Sequence, residues 1–355
     1  MSESDESYFD RLVDVEALES YLEAHLGSAE EFEVERHAGG HSNETLFVAW
    51  DDRELVVRRP PPGETADTAH DVIREYTVLE ALQDTAVSVP TTVLACEDHD
   101  VIGSDFYVME RERGVVVRGE EPEQFADPAH RRRLGEELVD TLADVHRVDY
   151  EAVGLGEFGR PDGYVERQVD RWHRQYEWAF EVTAEEREVP VVHDLTDWLR
   201  ENVPEDSPAT LVHGDYKLDN VMFSAAAPPA VEAVFDWEMS TLGDPLADLG
   251  WLLSYWPDAG DRSTSVGTAG DAAYLTREGY PTREELVARY EDATGFTFEH
   301  GRFYRALAVY KLGALGEMFF RRHLQGNADD DTYPLMEERV PLLARRAKRI
   351  VEGEE

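Results

Sequence analysis

The sequence predicts an α+β protein in which a small sheet carrying one helix precedes a larger, mainly helical part. Three observations lead to this prediction. Short β-branched and aromatic runs bounded by turn residues are concentrated before Arg113. From about Asp127 onward, apolar residues recur mostly at helical spacing. Between residues 211 and 237, two short apolar runs flank the Pro-containing turn SAAAPPA, which indicates a hairpin-like pair of strands among the helices.

The N-terminal part contains an amphipathic helix, then three strands, a helix and two strands. The strand pair at 32–50 surrounds a Gly-centred turn, and three prolines end the strand ELVVRRPPPG. The strands and the second helix form a small mixed sheet with one helix packed on it. In chain order the predicted elements lie at residues 9–26, 32–50, 54–63, 70–83, 87–98 and 101–112.

The remaining chain is predicted to contain long helices at 128–149 and 162–182. The boundary between the two parts is placed near Arg113 and Gly114, just after the last strand of the small sheet. This gives an N-terminal lobe of residues 1–113 and a C-terminal lobe of residues 114–355. The acidic stretch at 258–271 contains Gly and Ser and is expected to be an exposed loop.

Composition limits the function classes. The 355 residues carry 77 acidic and 34 basic side chains, for a formal net charge of −43, and only three of the basic residues are lysine. Acid spread along the whole chain with little lysine is typical of proteins that work in concentrated salt, which screens self-repulsion. No basic stripe suggests nucleic-acid binding. The single cysteine excludes an internal disulfide.

No apolar run approaches the length of a membrane span, and the start MSESDESYFD does not have the pattern of a signal peptide. We therefore expect a cytoplasmic protein without a membrane partner. The sequence does not indicate an oligomeric state.

Three polar residues are candidates for a metal-assisted site. Asp215 and Asn220 lie on one loop in LVHGDYKLDN, and Asp236 ends the following strand. A hairpin would bring their tips to one edge, where oxygen ligands suit a hard cation. Mg²⁺ uses one or two protein ligands together with substrate phosphates, so Asn220 and Asp236 suffice. Asp215 can then orient a hydroxyl group and accept its proton.

Two neighbours on the loop complete this hypothesis. Lys217 places a compact positive charge where a phosphoryl group would be transferred. The alternative is a solvated surface lysine, but lysine is almost absent elsewhere in the chain. His213 is expected to brace the loop through hydrogen bonds rather than to take part in chemistry.

These residues resemble a known family. HGDYKLDN followed by FDWEMSTLGDPLADLGW is similar to the catalytic loop and metal-binding segment of the aminoglycoside phosphotransferase and choline kinase superfamily. AGGHSNETLFVAW, VVRRPPPG, REYTVLEAL and FYVMERERG resemble further segments of that family in the same order, from about residue 30 to 325. The resemblance implies a two-lobed, protein-kinase-like fold with ATP and Mg²⁺ as cofactors.

The resemblance also implies roles for single residues. Asp215 becomes the catalytic base, and Asn220 and Asp236 become the Mg²⁺ ligands. Arg58 matches the phosphate-contacting cation, in competition with Arg59. Asp248 matches a buried aspartate that supports the catalytic loop, whereas Asp244 is expected to cap a helix. The nucleotide site would include Glu75 as the ion-pair partner of Arg58, the turn residues Gly39, Gly40 and Ser42, and the backbone of Glu110, Arg111 and Glu112.

The predicted activity is ATP- and Mg²⁺-dependent phosphorylation of a hydroxyl on a small molecule. A catalytically silent nucleotide-binding module is the alternative from another class. A protein kinase is disfavoured, because Trp237-Glu238 is followed within a few residues by GDPLADLGW. This spacing leaves no room for a long activation segment. The chain looks most like the branch associated with acyl-CoA dehydrogenases, which implies a hydroxylated acyl compound or another metabolite as acceptor and a functional link to such a dehydrogenase. An amino alcohol or aminosugar acceptor remains the alternative.

Overall fold

The computed structural model describes residues 3–37, 43–62, 71–205, 208–261, 272–326 and 330–355. The chain divides into two compact units. The first unit comprises Met1–Gly114 together with Glu232–Ser240, and the second comprises Val115–Val231 and Thr241–Glu355. The first unit thus includes a short segment that lies beyond residue 113, the boundary drawn from the sequence.

The first unit is built on a sheet. Within the described residues it has five strands in the order β1-β2-β3-β5-β4, and each neighbouring pair runs antiparallel. One face is covered by a core that includes Leu46, Leu55 and Phe106, all fully buried. The strands are β1 (Phe32–Arg36), β2 (Glu44–Trp50), β3 (Arg53–Arg59), β4 (Thr92–Cys96) and β5 (Phe106–Glu110).

Two predictions in this unit, one for a helix and one for a strand, need correction. The helix expected at 9–26 is two helices, because the Asp14 side chain accepts a hydrogen bond from the Ala17 amide and starts a new helix. The strand expected from Val101 begins only at Phe106, because a short helix capped by Asp98 comes first. The helices are α1 (Glu3–Leu12), α2 (Val15–Leu26), α3 (Val72–Leu82) and α4 (His99–Ile102).

The second unit is mainly helical, as the sequence predicts. Its helices are α5 (Pro128–Arg147), α6 (Tyr164–Thr183), α7 (Val191–Glu201), α8 (Pro245–Ser254), α9 (Arg283–Thr294), α10 (Gly301–Leu324) and α11 (Met336–Glu352). Its short strands are β6 (Val115–Val116), β7 (Thr210–Val212), β8 (Val221–Phe223) and β10 (Thr241–Gly243), and β9 (Val231–Val234) crosses the division between the units.

Two helices of the second unit approach each other closely at a glycine. A Cβ atom at Gly250 of α8 would lie 2.8 Å from backbone atoms of Tyr304 on α10, so only glycine allows this contact. Helix α10 also packs along α6 and α11. Residues of α6, α8 and α10 consequently surround the loop that follows β7. None of the described helices combines the length and apolar character that crossing a membrane requires.

Candidate active site

The loop after β7 is anchored by one buried carboxylate. Asp248, in the first turn of α8, accepts hydrogen bonds from the His213 amide at 2.6 Å and the Gly214 amide at 2.9 Å. Gly214 has a φ of +84°, a conformation that favours glycine. Successive amides therefore converge on one aspartate because the chain turns sharply at Gly214. The contacts agree with the supporting role that the resemblance implies for Asp248.

The charge of Asp248 is stabilised in turn. Burial raises its pKa, but a hydrogen bond and the charge of His146, together with His213, lower the pKa overall to below its ordinary value. His146 Nε2 lies 3.4 Å from Asp248 Oδ2, and its Nδ1 lies 2.6 Å from the Tyr290 hydroxyl. His213 is fully buried, and its ring nitrogen accepts a hydrogen bond from the Asp215 amide at 3.2 Å. His213 therefore braces the loop, as the sequence predicts.

Asp215 is held at both carboxylate oxygens. Oδ1 accepts a hydrogen bond from Trp251 Nε1 at 3.0 Å. Oδ2 lies 2.5 Å from Lys217 Nζ and 3.0 Å from the amide nitrogen of Asn220. This amide nitrogen also donates to the Asp215 carbonyl at 2.9 Å, so the amide oxygen of Asn220 takes no part in either bond. A largely buried carboxylate with a cation beside it and a fixed orientation can accept a proton from a bound hydroxyl.

The first unit contains the predicted ion pair between Arg58 and Glu75. Arg58 on β3 lies 3.5 Å from the Glu75 carboxylate on α3, and Glu75 is 2% exposed. Burial lowers the pKa of Arg58, but the Glu75 carboxylate, with Tyr107, Asp236 and Glu238, raises it overall above its ordinary value. The guanidinium of Arg59, the next residue on β3, points to different partners and donates to the carbonyls of Leu12 and Ile102. Of the two arginines, Arg58 is therefore the one paired with Glu75.

Asp236 also belongs to the first unit, where its segment is tied to α3 and the region before β4. Its backbone has φ 66° and ψ 57°, a left-handed conformation that is uncommon outside glycine. The Val234 amide donates to the Ser88 carbonyl at 2.9 Å, and Arg74 donates to the Ser240 carbonyl at 3.2 Å. Such backbone conformations occur often at functional sites.

Three residues at the end of β5, Glu110, Arg111 and Glu112, were predicted to meet adenine through backbone groups. The Glu110 amide donates to the Thr91 carbonyl, and the Arg111 amide donates to the Glu54 carbonyl, both at 2.8 Å. These two amides are therefore engaged within the first unit. Burial raises the pKa of Glu112. The predicted turn residues Gly39, Gly40 and Ser42 lie outside the described residues.

The predicted cation ligands have suitable chemistry for Mg²⁺. Asn220 would contribute an amide oxygen and Asp236 a carboxylate oxygen, and both are hard donors of the kind this ion prefers. In the described part of the chain, no group of three or more His, Cys, Asp or Glu residues could hold a metal ion.

Comparison with known proteins identifies the family. Residues 33–304 match the phosphotransferase enzyme family. The chain belongs to this family. A structure of an inferred aminoglycoside phosphotransferase from Ralstonia eutropha JMP134 is 32% identical and has a TM-score of 0.80, with 96% of this chain and 99% of that chain covered. The protein-kinase-like fold predicted from the sequence, a small sheet-containing lobe and a larger helical lobe, is thereby confirmed.

Two further comparisons extend this result. The human protein acyl-CoA dehydrogenase family member 11 is 33% identical over 334 residues, which cover 90% of this chain and 41% of that protein. The chain thus spans about two fifths of the length of this relative. The GDP complex of aminoglycoside 2'-phosphotransferase-IIIa shares the fold with a TM-score of 0.62 and 14% identity, covering 94% of this chain and 99% of that chain.

Two residues that contact the loop or each other, Trp251 and Lys311, were not predicted from the sequence. Trp251, which binds Asp215, lies in the segment GDPLADLGW that carried the resemblance, but the sequence does not show where the indole points. Lys311 on α10 donates to the Gly214 carbonyl and lies 3.9 Å from the centroid of the Trp251 ring. The composition could have drawn attention to Lys311, because it is one of only three lysines in the chain.

A pocket of about 220 Å³ adjoins the catalytic loop within the second unit. Two cationic side chains, Arg118 and Lys217, line it together with the carboxylate of Asp219. The rings of Tyr255 and Tyr274 form part of its wall. Its remaining lining is apolar or glycine: Val117, Gly119, Leu218 and Ala272. A pocket that combines charged side chains of both signs with an apolar wall is suited to a small molecule with polar groups and a hydrocarbon part.

Proposed function

We propose that this phosphotransferase transfers the terminal phosphoryl group of ATP to a hydroxyl group of a small metabolite. The observation that carries the proposal is the environment of Asp215. Its carboxylate is fixed by Trp251, Lys217 and Asn220 on a loop whose backbone is anchored to Asp248. Phosphoryl transfer depends mainly on positioning and charge stabilisation, and a rigid base next to a cation supplies both.

In the proposed reaction, the acceptor oxygen forms a bond to the terminal phosphorus as the bond from that phosphorus to ADP breaks. Asp215 accepts the proton that the hydroxyl loses. Lys217 stabilises the negative charge on the transferred group, and Arg58, oriented by Glu75, contacts the phosphates that remain on ADP. Mg²⁺ held by Asn220 and Asp236 would neutralise phosphate charge.

Solved relatives support the use of a nucleotide. Neighbours with the same fold have been crystallised with GDP, with ADP and with AMP-PNP. Their identities to this chain, 11–15%, carry the fold alone, so the preference for ATP rests on the resemblance of the catalytic segments. The silent-module alternative would retain nucleotide binding without turnover.

For the acceptor we propose a hydroxyacyl compound. Curated relatives are acyl-CoA dehydrogenase family members, which supports an acyl substrate and a functional link to such a dehydrogenase. The pocket beside Lys217 is lined by two cations and one carboxylate, and Lys217 is paired with Asp215, so Arg118 is the cation that an anionic acceptor would meet.

The decisive variant is Asp215→Asn, which keeps the size of the side chain and removes its basicity. We expect turnover to fall by about 10²- to 10⁴-fold, the usual contribution of a general base. Binding of Mg²⁺ and AMP-PNP, measured as a thermal shift, should persist. The matched control is Asp197→Asn on the exposed side of α7, which should keep full activity. A fully active Asp215→Asn protein would refute the assignment, and a wild type that binds nucleotide but never consumes ATP would favour the silent module.

The acceptor can be identified by ATP consumption in about 2 M KCl, where charge repulsion is screened over a few ångströms. We expect a hydroxyacyl-coenzyme A to give kcat/KM at least about tenfold above choline, a neutral sugar or kanamycin, since one charge interaction is worth about that factor. Arg118→Gln should lower this kcat/KM while the KM for ATP stays unchanged. Arg174→Gln, an exposed change on α6, serves as the control. A preference for kanamycin or choline that Arg118→Gln leaves intact would contradict the hydroxyacyl proposal.

A further inference from the structure

Lys311 is a buried lysine in a chain that contains almost no lysine. It is 9% exposed and lies in the middle of α10, and two of the three lysines, Lys217 and Lys311, contact the catalytic loop. Burying an ammonium group is costly, and such residues are rarely buried without partners. All other basic side chains except Lys348 are arginine. The use of lysine rather than arginine here indicates that this position requires the compact charge of an ammonium group.

The contacts of Lys311 converge on the groups that hold Asp215. Its Nζ donates to the carbonyl oxygen of Gly214, the residue directly before Asp215. The same atom lies 3.9 Å from the ring centroid of Trp251 and 5.5 Å from that of Trp172. Trp251 in turn donates from Nε1 to Asp215 Oδ1 at 3.0 Å. Lys311 thus reaches Asp215 by two routes, through the backbone and through the indole.

A cation over the indole ring supports the second route physically. The ammonium is attracted to the face of the ring, and this attraction is strongest where water is excluded. It also fixes the plane of the ring, which sets the direction of the Nε1–H bond toward Asp215. A ring free to rotate would place that donor less accurately, and small displacements at a reacting centre cost large factors in rate.

We propose that Lys311 is a positioning residue for phosphoryl transfer, which fixes the Gly214 carbonyl and the Trp251 indole and through them orients the carboxylate of Asp215. It lies among the side chains Gln168 and Trp172 of α6, Asp248 and Trp251 of α8, and Leu307 of α10. Burial lowers its pKa to about 8. The inference rests on the proposed function, because it assumes that Asp215 is the base.

The test is Lys311→Met, which keeps the length of the side chain and removes the charge and the donors. We expect the melting temperature to stay within about 3 °C of wild type, because loss of the hydrogen bond is offset by removal of a buried charge. The kcat for ADP release from MgATP should fall by about 10- to 100-fold, with water as acceptor and with the best acceptor of the screen. The KM for ATP should change by less than about threefold. Lys348→Met, the same change at an exposed lysine of α11, should leave both constants unchanged.

A double-mutant cycle separates positioning from a purely structural role. Trp251→Phe keeps an aromatic face for Lys311 but removes the donor to Asp215. If Lys311 acts through the indole, the double variant should lose little more activity than Trp251→Phe alone. Independent, multiplicative losses would overturn the indole route. A kcat within twofold of wild type, or a loss of kcat matched by a large fall in melting temperature, would overturn the proposal.

The same experiments distinguish the two levels of inference. If Asp215→Asn keeps full activity, the proposed function fails and the role of Lys311 fails with it. If Asp215→Asn is inactive while Lys311→Met is fully active, only the role of Lys311 is refuted.

Discussion

Two cation–carboxylate pairs, one in each unit, differ in how the fold holds them. Lys217 and Asp215 are two residues apart on one loop and lie 2.5 Å from each other. Arg58 and Glu75 come from a strand and a helix and lie 3.5 Å apart. The carboxylate of Glu75 is 2% exposed, whereas the Asp215 side chain is 16% exposed. The first pair is local in sequence with both partners partly exposed, and the second is assembled by packing with its carboxylate fully buried and its arginine partly exposed.

The difference follows from the tasks proposed for the two pairs, which are proton transfer at Asp215 and charge pairing between Arg58 and Glu75. A base of the kind proposed for Asp215 must remain reachable by its substrate. Asp215 is partly exposed, and Trp251 and Lys217 contact its carboxylate on a loop anchored to Asp248. The Arg58–Glu75 pair has no proton to transfer and can be buried between β3 and α3. Removing one partner of a buried pair leaves an uncompensated charge, which lowers the free energy of unfolding as well as the affinity for the ligand.

The largest effect is expected at the anchor of the catalytic loop. Asp248→Asn replaces one of the two oxygens that accept the His213 and Gly214 amides with an NH₂ group, which cannot accept. We expect kcat to fall by about 10²- to 10³-fold and the free energy of unfolding to fall by about 3 kcal/mol. Activity assays and urea denaturation would check both values. A stable, active variant would show that the loop does not need this anchor.

The effect of Asp248 on stability should also depend on pH. Its folded-state pKa lies below its ordinary value, so its stabilisation is complete above the unfolded pKa and is lost as the pH falls through the folded pKa. The difference in unfolding free energy between wild type and Asp248→Asn should therefore narrow below about pH 4. A difference that stays constant down to pH 2 would contradict this origin.

A smaller effect, of a different kind, is expected in the first unit. Glu75→Gln keeps the shape of the side chain but removes the charge facing Arg58. We expect the KM for ATP to rise by about tenfold and the free energy of unfolding to fall by about 1–3 kcal/mol, with a lesser change in kcat. Steady-state kinetics and urea denaturation would measure these changes. Glu80→Gln, at an exposed position of the same helix, is the control.

A variant of Arg59 tests whether Arg58 alone is paired with Glu75, because the Arg59 guanidinium donates to the carbonyls of Leu12 and Ile102 instead. Arg59→Lys should lower stability and leave the KM for ATP unchanged. If Arg59→Lys raises this KM and Glu75→Gln does not, the phosphate-contacting role belongs to Arg59.

Local chain signals predicted much of the fold but missed two boundaries. The strands of the small sheet and the helix α3 were predicted from alternation, helical spacing and prolines. The break between α1 and α2 was missed because apolar spacing continues across it, while the side chain of Asp14 caps the second helix. The start of β5 was missed because the apolar pair Val101-Ile102 suits a strand and a short helix equally.

The sequence by itself determined the family, the order of the main elements and the position of the loop that carries Asp215, because these depend on short motifs and local periodicity. Only the tertiary structure decided that Arg58 rather than Arg59 faces Glu75, since adjacent strand residues point to opposite faces and the partner comes from a helix. It alone also decided that Trp251 and Lys311 support Asp215. These contacts join segments 36 to 97 residues apart, and no local pattern encodes where such side chains meet.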